Sequence, residues 1–493
     1  MRKKMPIFYS ALMLTGVNLL LRFVSTSFQV YVSGRIGAAG VGLLQLVLSV
    51  GMLAMTAGMA GVRTATMYLT AEELGVKRPE NVIWVLSACF IYSIVCSGTV
   101  ALGLYRFAPF LAATWIGDPR TVGAIRLIAA FLPIQCLCGC MTGYFTAANR
   151  IRTLAAVEVA EQLCSMSVTV IMLTVWAGSD PARACQAVVF GSGVGACITL
   201  ISLILLRLRE HIKPGPHISF RSRLLHVAVP LALADDLKSG ISTGENLMVP
   251  KRLGLYAGTE NALAAFGTVC GMVFPILMFP AAILFGLAEL LIPELARCAA
   301  AGSHRRIQYL VRRSLRVALF YGCLFSGLMF LAADKLCMIL YDSQDAGRYL
   351  RMYALLIPIV YCDAITDAMT KGLGQQKACV RYNILTSGMD VACLYFLLPR
   401  YGMNGYYFSF LITHLLNFAL SLRRLLKIAG IRISIYIPAF SAAAAIASVW
   451  AASHLSQPIL QCVAYPLLLG SQLVLYRIWG KEDLHWIKGL FQL

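Results

Sequence analysis

Three cations and a set of carboxylates sit inside apolar segments of this chain, where a charge must be answered by chemistry. Arg22 lies within the run from Pro6 to Val32, Arg63 within GMAGVRTATMYL (58–69), and Lys238 within LADDLKSGISTGENLMVP (233–250). A charge near the centre of a bilayer costs roughly 2.5–3.5 kcal/mol. Such a residue therefore meets an anion, lines a wet cavity or snorkels to the interface. Guanidinium forks match phosphate and pyrophosphate oxygens, so a cationic site inside a membrane suits a phosphorylated ligand. Arg22 has no acidic residue in its own span. Arg63 is close enough to a span end to snorkel, and Lys238 has Asp235 three residues earlier as an internal counter-ion.

The acidic residues fall mainly in the second half. Asp235, Asp236 and Glu245 share one segment, Asp363 and Asp367 are spaced i,i+4 in another, and Asp390 lies in the next. Carboxylates at membrane depth either bind Na+ through oxygen ligands, carry protons, or balance neighbouring cations. Asp235, Glu245, Asp363, Asp367 and Asp390 are thus candidates for ion coupling. Asp367 with Lys371 and Asp235 with Lys238 are the alternative salt bridges. Glu158 and Glu161 are expected to pair with Arg150 and Arg152.

The elements that must position these groups are transmembrane helices. Of 493 residues, 59% are hydrophobic and 13% charged, against about 25% charged in soluble domains. Apolar stretches of spanning length occur at 5–32, 39–68, 82–108, 122–147, 153–177, 184–207, 224–249, 261–292, 311–333, 350–372, 379–399, 403–425, 433–453 and 458–479. Fourteen spans put both termini on one side. With the N-terminus inside, 28 of the 42 Lys and Arg residues fall on the cytoplasmic side and 11 on the other, the rest being the three intramembrane cations. This bias favours N-in, C-in in a cytoplasmic membrane. It also accounts for much of the net charge of +20 without nucleic acid. The basic loop RLREHIKPGPHISFRSR (207–223) reads as a topology signal, with anionic lipid as a second use. The basic start MRKK precedes an apolar run too long for a signal peptide.

The chain divides into 1–207, a basic linker at 208–223, 224–427, and 428–493 with two further helices and a tail. The two larger parts echo each other: SGRIG (33–37) matches PKRLG (250–254), and GYFTAANRIR (143–152) matches MTKGLGQQKA (369–378), at offsets near 217 and 225. Separation by an even number of spans makes them parallel repeats, an arrangement that encloses a central cavity. Lys238 is then the counterpart of Arg22. Pro133, Pro230, Pro275, Pro280 and Pro358 interrupt spans, and the eighth span is a candidate bending element.

The sixteen cysteines are scattered, with Cys136, Cys138 and Cys140 clustered. They read as packing residues, not as a disulfide framework or metal site. There is no Walker A motif. GSGVGA (191–196) has no strand before it and reads as close helix packing. No large aqueous loop gathers catalytic groups, so an enzyme is not expected.

Three segments carry a family resemblance: 33–73, GTVCGMVFPILMFPAAILFGLAELLIPELARCAAAG (267–302), and GLGQQKACVRYNIL with PRYGMNGYYFS (372–385, 399–409). The chain resembles the polysaccharide-exporter and lipid-flippase branch of the multidrug/oligosaccharidyl-lipid/polysaccharide (MOP) transporter superfamily, its sporulation members above all. The resemblance implies two bundles in a V and alternating access without ATP. It implies export of an undecaprenyl-(pyro)phosphate-linked saccharide or peptidoglycan precursor to the outer leaflet, in spore cortex or envelope polysaccharide assembly. No cofactor is implied beyond coupling Na+ or H+. The implied partners are the lipid-linked precursor, membrane lipids and envelope-biosynthesis proteins.

Lipid II flippases of the superfamily use arginines on the first, second and eighth helices. Arg22 and Arg63 resemble the first two. The eighth span has no arginine between Asn261 and Glu294, and Lys238 is the candidate replacement. Substrate-binding residues are therefore expected to be Arg22, Arg63 and Lys238. Multidrug exporters of the superfamily use carboxylates on the seventh and tenth helices, where Glu245, Asp363 and Asp367 stand. A cation-coupled drug exporter is thus the alternative, opposed by like-charge repulsion of cationic drugs from Arg22 and Arg63. A non-transporting scaffold of an envelope-assembly complex is a third reading.

Overall fold

A computed structural model describes residues 7–76, 78–178, 180–210, 215–216, 218–431, 434 and 436–475. The basic residues Arg2, Lys3, Lys4 and Lys213, part of the 208–223 linker, and the tail from 476 lie outside the described residues. Those described form an all-α membrane protein without strands. The helices are α1 (Ile7–Met59), α2 (Val62–Gly75), α3 (Val82–Phe110), α4 (Val122–Ala147), α5 (Ile151–Met172), α6 (Pro181–Leu208), α7 (Arg221–Ala257) and α8 (Thr259–Gly267). They continue as α9 (Phe274–Ala300), α10 (His304–Tyr341), α11 (Gln344–Ala354), α12 (Ile357–Gly372), α13 (Gln376–Tyr401), α14 (Met403–Ala429), α15 (Tyr436–Ser453) and α16 (Pro458–Leu475).

By length and composition ten helical runs among the described residues can cross a membrane, or eleven with α11 and α12 taken as one span bent by 55°. The count approaches fourteen once three features are considered. The run Leu20–Gly75 is counted once although it breaks at Gly37 (φ 69°) and at Ala60–Gly61 (φ 43° and 71°). Helices α7 and α13 are long enough but too polar over a spanning stretch to be counted. The span expected at 39–68 is thus two helices. Gly61 is required there twice over: its φ is left-handed, and a Cβ would lie 2.5 Å from the Ala228 carbonyl oxygen.

Packing separates two units. One comprises residues 1–30, 255–257 and 268–493; the other comprises 31–254 and 258–267. These units cut the chain differently from the sequence repeats. The first 30 residues group with the later helices, and most of α7 groups with the earlier ones. In the second unit α3 packs on α4, α4 on α6 and α5 on α6; in the first, α10 packs on α11 and α12, and α13 on α14. Helices α15 and α16 pack on α10, with Tyr465 buried and donating to the Cys323 carbonyl at 2.7 Å.

The backbone itself carries the duplication. The chain turns with positive φ at Gly117, Asn149 and Gly178, and again at Asp342, Gly374 and Gly402, so each turn recurs after 224 or 225 residues. Gly178 (φ 57°, ψ −124°) and Gly402 (φ 58°, ψ −137°) share one unusual conformation. Asp118 and Ser343, also 225 apart, each cap the helical turn that follows. At the first helices the conformational match to Gly37 (φ 69°, ψ 176°) is Gly258 (φ 81°, ψ 155°). That lies one helical turn beyond the sequence match at Gly254.

Candidate functional site

In the first unit, the polar chemistry gathers where α12, α13 and α14 meet. Asp363 is buried, 6% exposed. It accepts from Asn417 Nδ2 at 3.0 and 3.1 Å and lies 3.2 Å from His414 Nδ1. Asp390 accepts from Ser409 Oγ at 2.5 Å, and His414 is within electrostatic reach of it. The ring of Phe410 stands 4.2 Å from that of His414 and joins Phe274, Tyr353 and Tyr406 in an aromatic wall. Two carboxylates, one imidazole and one amide thus share a largely buried corner, and Asn417 Oδ1 is buried there without a hydrogen-bond partner. Oxygen ligands of this kind suit a hard monovalent cation, and the imidazole suits a proton.

Helix α14 builds this corner by spacing. Ser409, Thr413 and Asn417 follow at i, i+4 and i+8, with His414 beside them, so all four face one side. A polar stripe on an otherwise apolar span was the available signal, and reasoning from charges alone missed these four residues. Asp367, by contrast, is already balanced: Lys371 Nζ lies 2.6 Å from its Oδ2, one turn on. That is the salt bridge weighed as the alternative for this residue.

Arg22 also belongs to this unit. It is half-buried, forms no ion pair among the described residues, and lies within electrostatic reach of Tyr361. Tyr361 in turn donates to the Leu277 carbonyl at 2.8 Å, where α9 carries its proline-opened turns. Next to it on α1 Phe23 meets Phe279 edge-on, and two turns on Gln29 donates to the Gly271 carbonyl at 2.9 Å.

In the second unit, α7 lies against the second half of α1. Thr243 donates to the Ser49 carbonyl, Asn246 to Ser49 Oγ, and Thr56 to Ser239 Oγ, at 3.1, 3.1 and 3.2 Å. Lys238 and Asp235 are both exposed, and no ion pair joins them among the described residues. Asp236 is half-buried, and so is Glu245, which has polar contacts of its own. Arg63 is exposed on the first turn of α2 and reaches Glu158 electrostatically.

The pairing expected for Glu158 and Glu161 with Arg150 takes a different form. Arg150 Nη1 lies 2.7 Å from Glu210 Oε1, Arg207 lies 3.5 Å from the other oxygen, and Tyr144 donates to the same carboxylate. Glu161 instead accepts from Thr199 Oγ1 at 2.7 Å. The C-terminal end of α6 brings Glu210 to Arg150, so a partner 60 residues away displaces the near neighbours.

A search against protein families finds the MatE profile twice, at residues 14–176 and 253–396. The chain belongs to the MatE family. The two MatE matches fall on the two halves of the duplication. Stage V sporulation protein B of Bacillus subtilis (strain 168) is 22% identical over 415 residues, covering 80% of this chain and 78% of that one. Among solved structures, the lipid II flippase MurJ in an inward closed conformation aligns with a TM-score of 0.71 at 10% identity, over 96% of this chain and 99% of its own. A multidrug-resistance MATE transporter in an inward-facing conformation aligns at 0.64 and 14% identity, over 84% and 97%. A MOP-superfamily transporter from Pyrococcus furiosus aligns at 0.62 and 16% identity, over 86% and 96%. This MatE protein is accordingly a multi-span membrane protein, and the solved structures that share its fold are named as transporters of the MOP superfamily and a lipid II flippase.

Proposed function

We propose that this transporter is an alternating-access flippase. It moves an undecaprenyl-(pyro)phosphate-linked saccharide or peptidoglycan precursor from the inner to the outer leaflet of a bacterial cytoplasmic membrane, with both termini inside. The observation that carries the reading is Arg22, a half-buried guanidinium in an apolar span that no described carboxylate neutralises. A permanent cation in that setting needs an anion, and a lipid-linked phosphate supplies one as it passes. Arg22 in one unit and Arg63 and Lys238 in the other are the phosphate-reading cations of this reading. The lipid II flippase that shares this fold is named for a substrate of the same class, which supports the reading.

Coupling falls to carboxylates. Asp363 and Asp390 hold one Na+ or H+ with His414 and Asn417, while Asp367 is occupied by Lys371. Asp235 and Glu245 remain secondary coupling candidates on α7.

The test is transbilayer movement of a fluorescent undecaprenyl-pyrophosphate oligosaccharide in proteoliposomes. Two charge-assisted hydrogen bonds, taken conservatively at about 1.5 kcal/mol each, make Arg22→Ala slower by about 100-fold. Its thermal midpoint stays close to wild type, since no ion pair is lost. Movement unchanged in Arg22→Ala rejects the role of this arginine. Absence of movement in folded wild type, together with export of an organic cation, replaces the flippase with a drug exporter.

A further inference from the structure

We propose that the cargo carries a protonated amine as well as a phosphate, and that Glu289 of α9 reads the amine. The proposal rests on the phosphate reading of Arg22 given above. From Asn261 to Ala288 no residue is charged, and Glu289 is the first carboxylate to follow. The next carboxylate on the helix, Glu294, is neutralised twice, by Arg297 at 3.2 Å and by Arg306 at 2.8 Å. Glu289 is exposed and has neither an ion pair nor a hydrogen bond among the described residues.

Helix α9 sets the depth of this group. The ion pairs of Glu294 with Arg297 and Arg306 mark the headgroup level at its C-terminal end. Glu289 stands five residues before Glu294 and eight before Arg297, so it lies roughly 8–12 Å inside that level at about 1.5 Å per residue. One leaflet of hydrocarbon measures about 15 Å. A carboxylate at that depth keeps its charge only beside water or a cation, and α9 supplies no cation of its own there. A purely structural acid is expected to pair as Glu294 does.

The flank of α9 that bears Glu289 leads to the residues around Arg22. Leu277, Leu284, Ala288 and Leu291 form the buried side of the helix. Met278, Phe285 and Glu289 follow at i, i+7 and i+11, so they make a separate stripe beside it. Met278 lines a narrow cavity with Tyr361 and Phe410, and Tyr361 is the residue that Arg22 reaches. Phe23, next to Arg22, meets Phe279, which places Arg22 about 15 Å from Glu289 along the helix. The two charges are opposite, share one unit and do not pair with each other. A purely anionic glycan would leave Glu289 unanswered, and an organic cation alone would leave Arg22 unanswered. A phosphate at Arg22 with an ammonium about 15 Å nearer the C-terminal end of α9 answers both.

The experiment measures equilibrium binding of fluorescent probes to the full-length protein in nanodiscs. One pair of probes is an undecaprenyl-pyrophosphate disaccharide with a free glucosamine amine and its N-acetylated twin. The other pair bears a lysine peptide on the saccharide, with the side-chain amine free or acetylated. Acetylation removes the charge and keeps the rest of the probe. Wild type binds the free amine of at least one pair about tenfold more tightly, the equivalent of one charge-assisted hydrogen bond. The pair that shows the preference tells an amino sugar from a peptide amine. Glu289→Gln brings the twins to parity, Glu289→Asp keeps most of the preference, and Glu294→Gln keeps all of it. Arg22→Ala weakens binding of both twins and keeps their ratio. Thermal unfolding checks that each variant is folded. Three results overturn the proposal: equal or no binding of the twins by wild type in both pairs, a preference that survives Glu289→Gln, or loss of folding in Glu289→Gln, which would make the carboxylate structural. A preference seen in a protein that moves neither probe in proteoliposomes would refute the flippase and leave the amine site standing.

Discussion

Asp363→Asn separates a coupling carboxylate from a structural one. The change keeps shape and removes one negative charge. In the wild type the carboxylate receives Asn417 Nδ2 at 3.0 and 3.1 Å and stands 3.2 Å from His414, with no Lys or Arg ion pair among the described residues. Its charge therefore has no Lys or Arg beside it, and the expected coupling is of one cation, whether Na+ on the oxygens or a proton shared with His414. One coupled cation moving down a tenfold gradient supplies about 1.4 kcal/mol, which sustains about tenfold accumulation of cargo at steady state. The assay is accumulation of the fluorescent lipid-linked oligosaccharide in one leaflet of proteoliposomes, with the membrane potential clamped and a tenfold Na+ or H+ gradient imposed in turn.

Wild type is expected to reach about tenfold with one of the two ions, and Asp363→Asn to stay near unity while still equilibrating cargo. The same substitution replaces charge-assisted hydrogen bonds by neutral ones, a loss of about 1 kcal/mol for each of two donors. It also removes a buried charge, which offsets that loss. The thermal midpoint is thus expected to move little. Gradient-driven accumulation that persists in Asp363→Asn refutes the assignment. So does a collapse of folding, which would make the carboxylate a structural group.

Other outcomes follow from the same structure. Asp118, in the turn between α3 and α4, is held below the usual carboxylate range by side-chain hydrogen bonds from Arg120, against the opposing effect of burial. A depressed folded value means that its contribution is present above the unfolded value and is lost as pH falls through the folded one. Asp118→Asn should therefore change the thermal midpoint at neutral pH and not at the acid end. The effect is about 0.5 kcal/mol or less, because Asn caps the turn as well as Asp and the ion pair with exposed Arg120 is screened. Gly267→Val should prevent α8 from seating on α1, since a Cβ there meets the Ala38 carbonyl oxygen and the Gly42 amide. Steady-state level and detergent-resistant monomer should fall severely, whereas Gly103→Val, which faces open space, should be tolerated.

Much of the architecture was legible in the residues themselves. The apolar spans, the all-helical class and the repeat near 225 residues are statements about composition and periodicity along the chain. The bilayer forces backbone groups in such spans to pair within their own helix. The ion pair of Asp367 with Lys371 was readable for the same reason, because a separation of four residues is one helical turn whatever surrounds it.

Tertiary packing decided the rest. His414 and Asn417 reach Asp363 across more than 50 residues, and Glu210 takes Arg150 from its nearer glutamates. Such partners depend on which helix faces meet, and a spacing rule along one helix carries no information about its neighbours. The break at Gly37 and the grouping of residues 1–30 with α9–α16 are of this kind. Positive φ at Gly37 is permitted by the sequence, and it is required only because the chain changes packing partners close to that point.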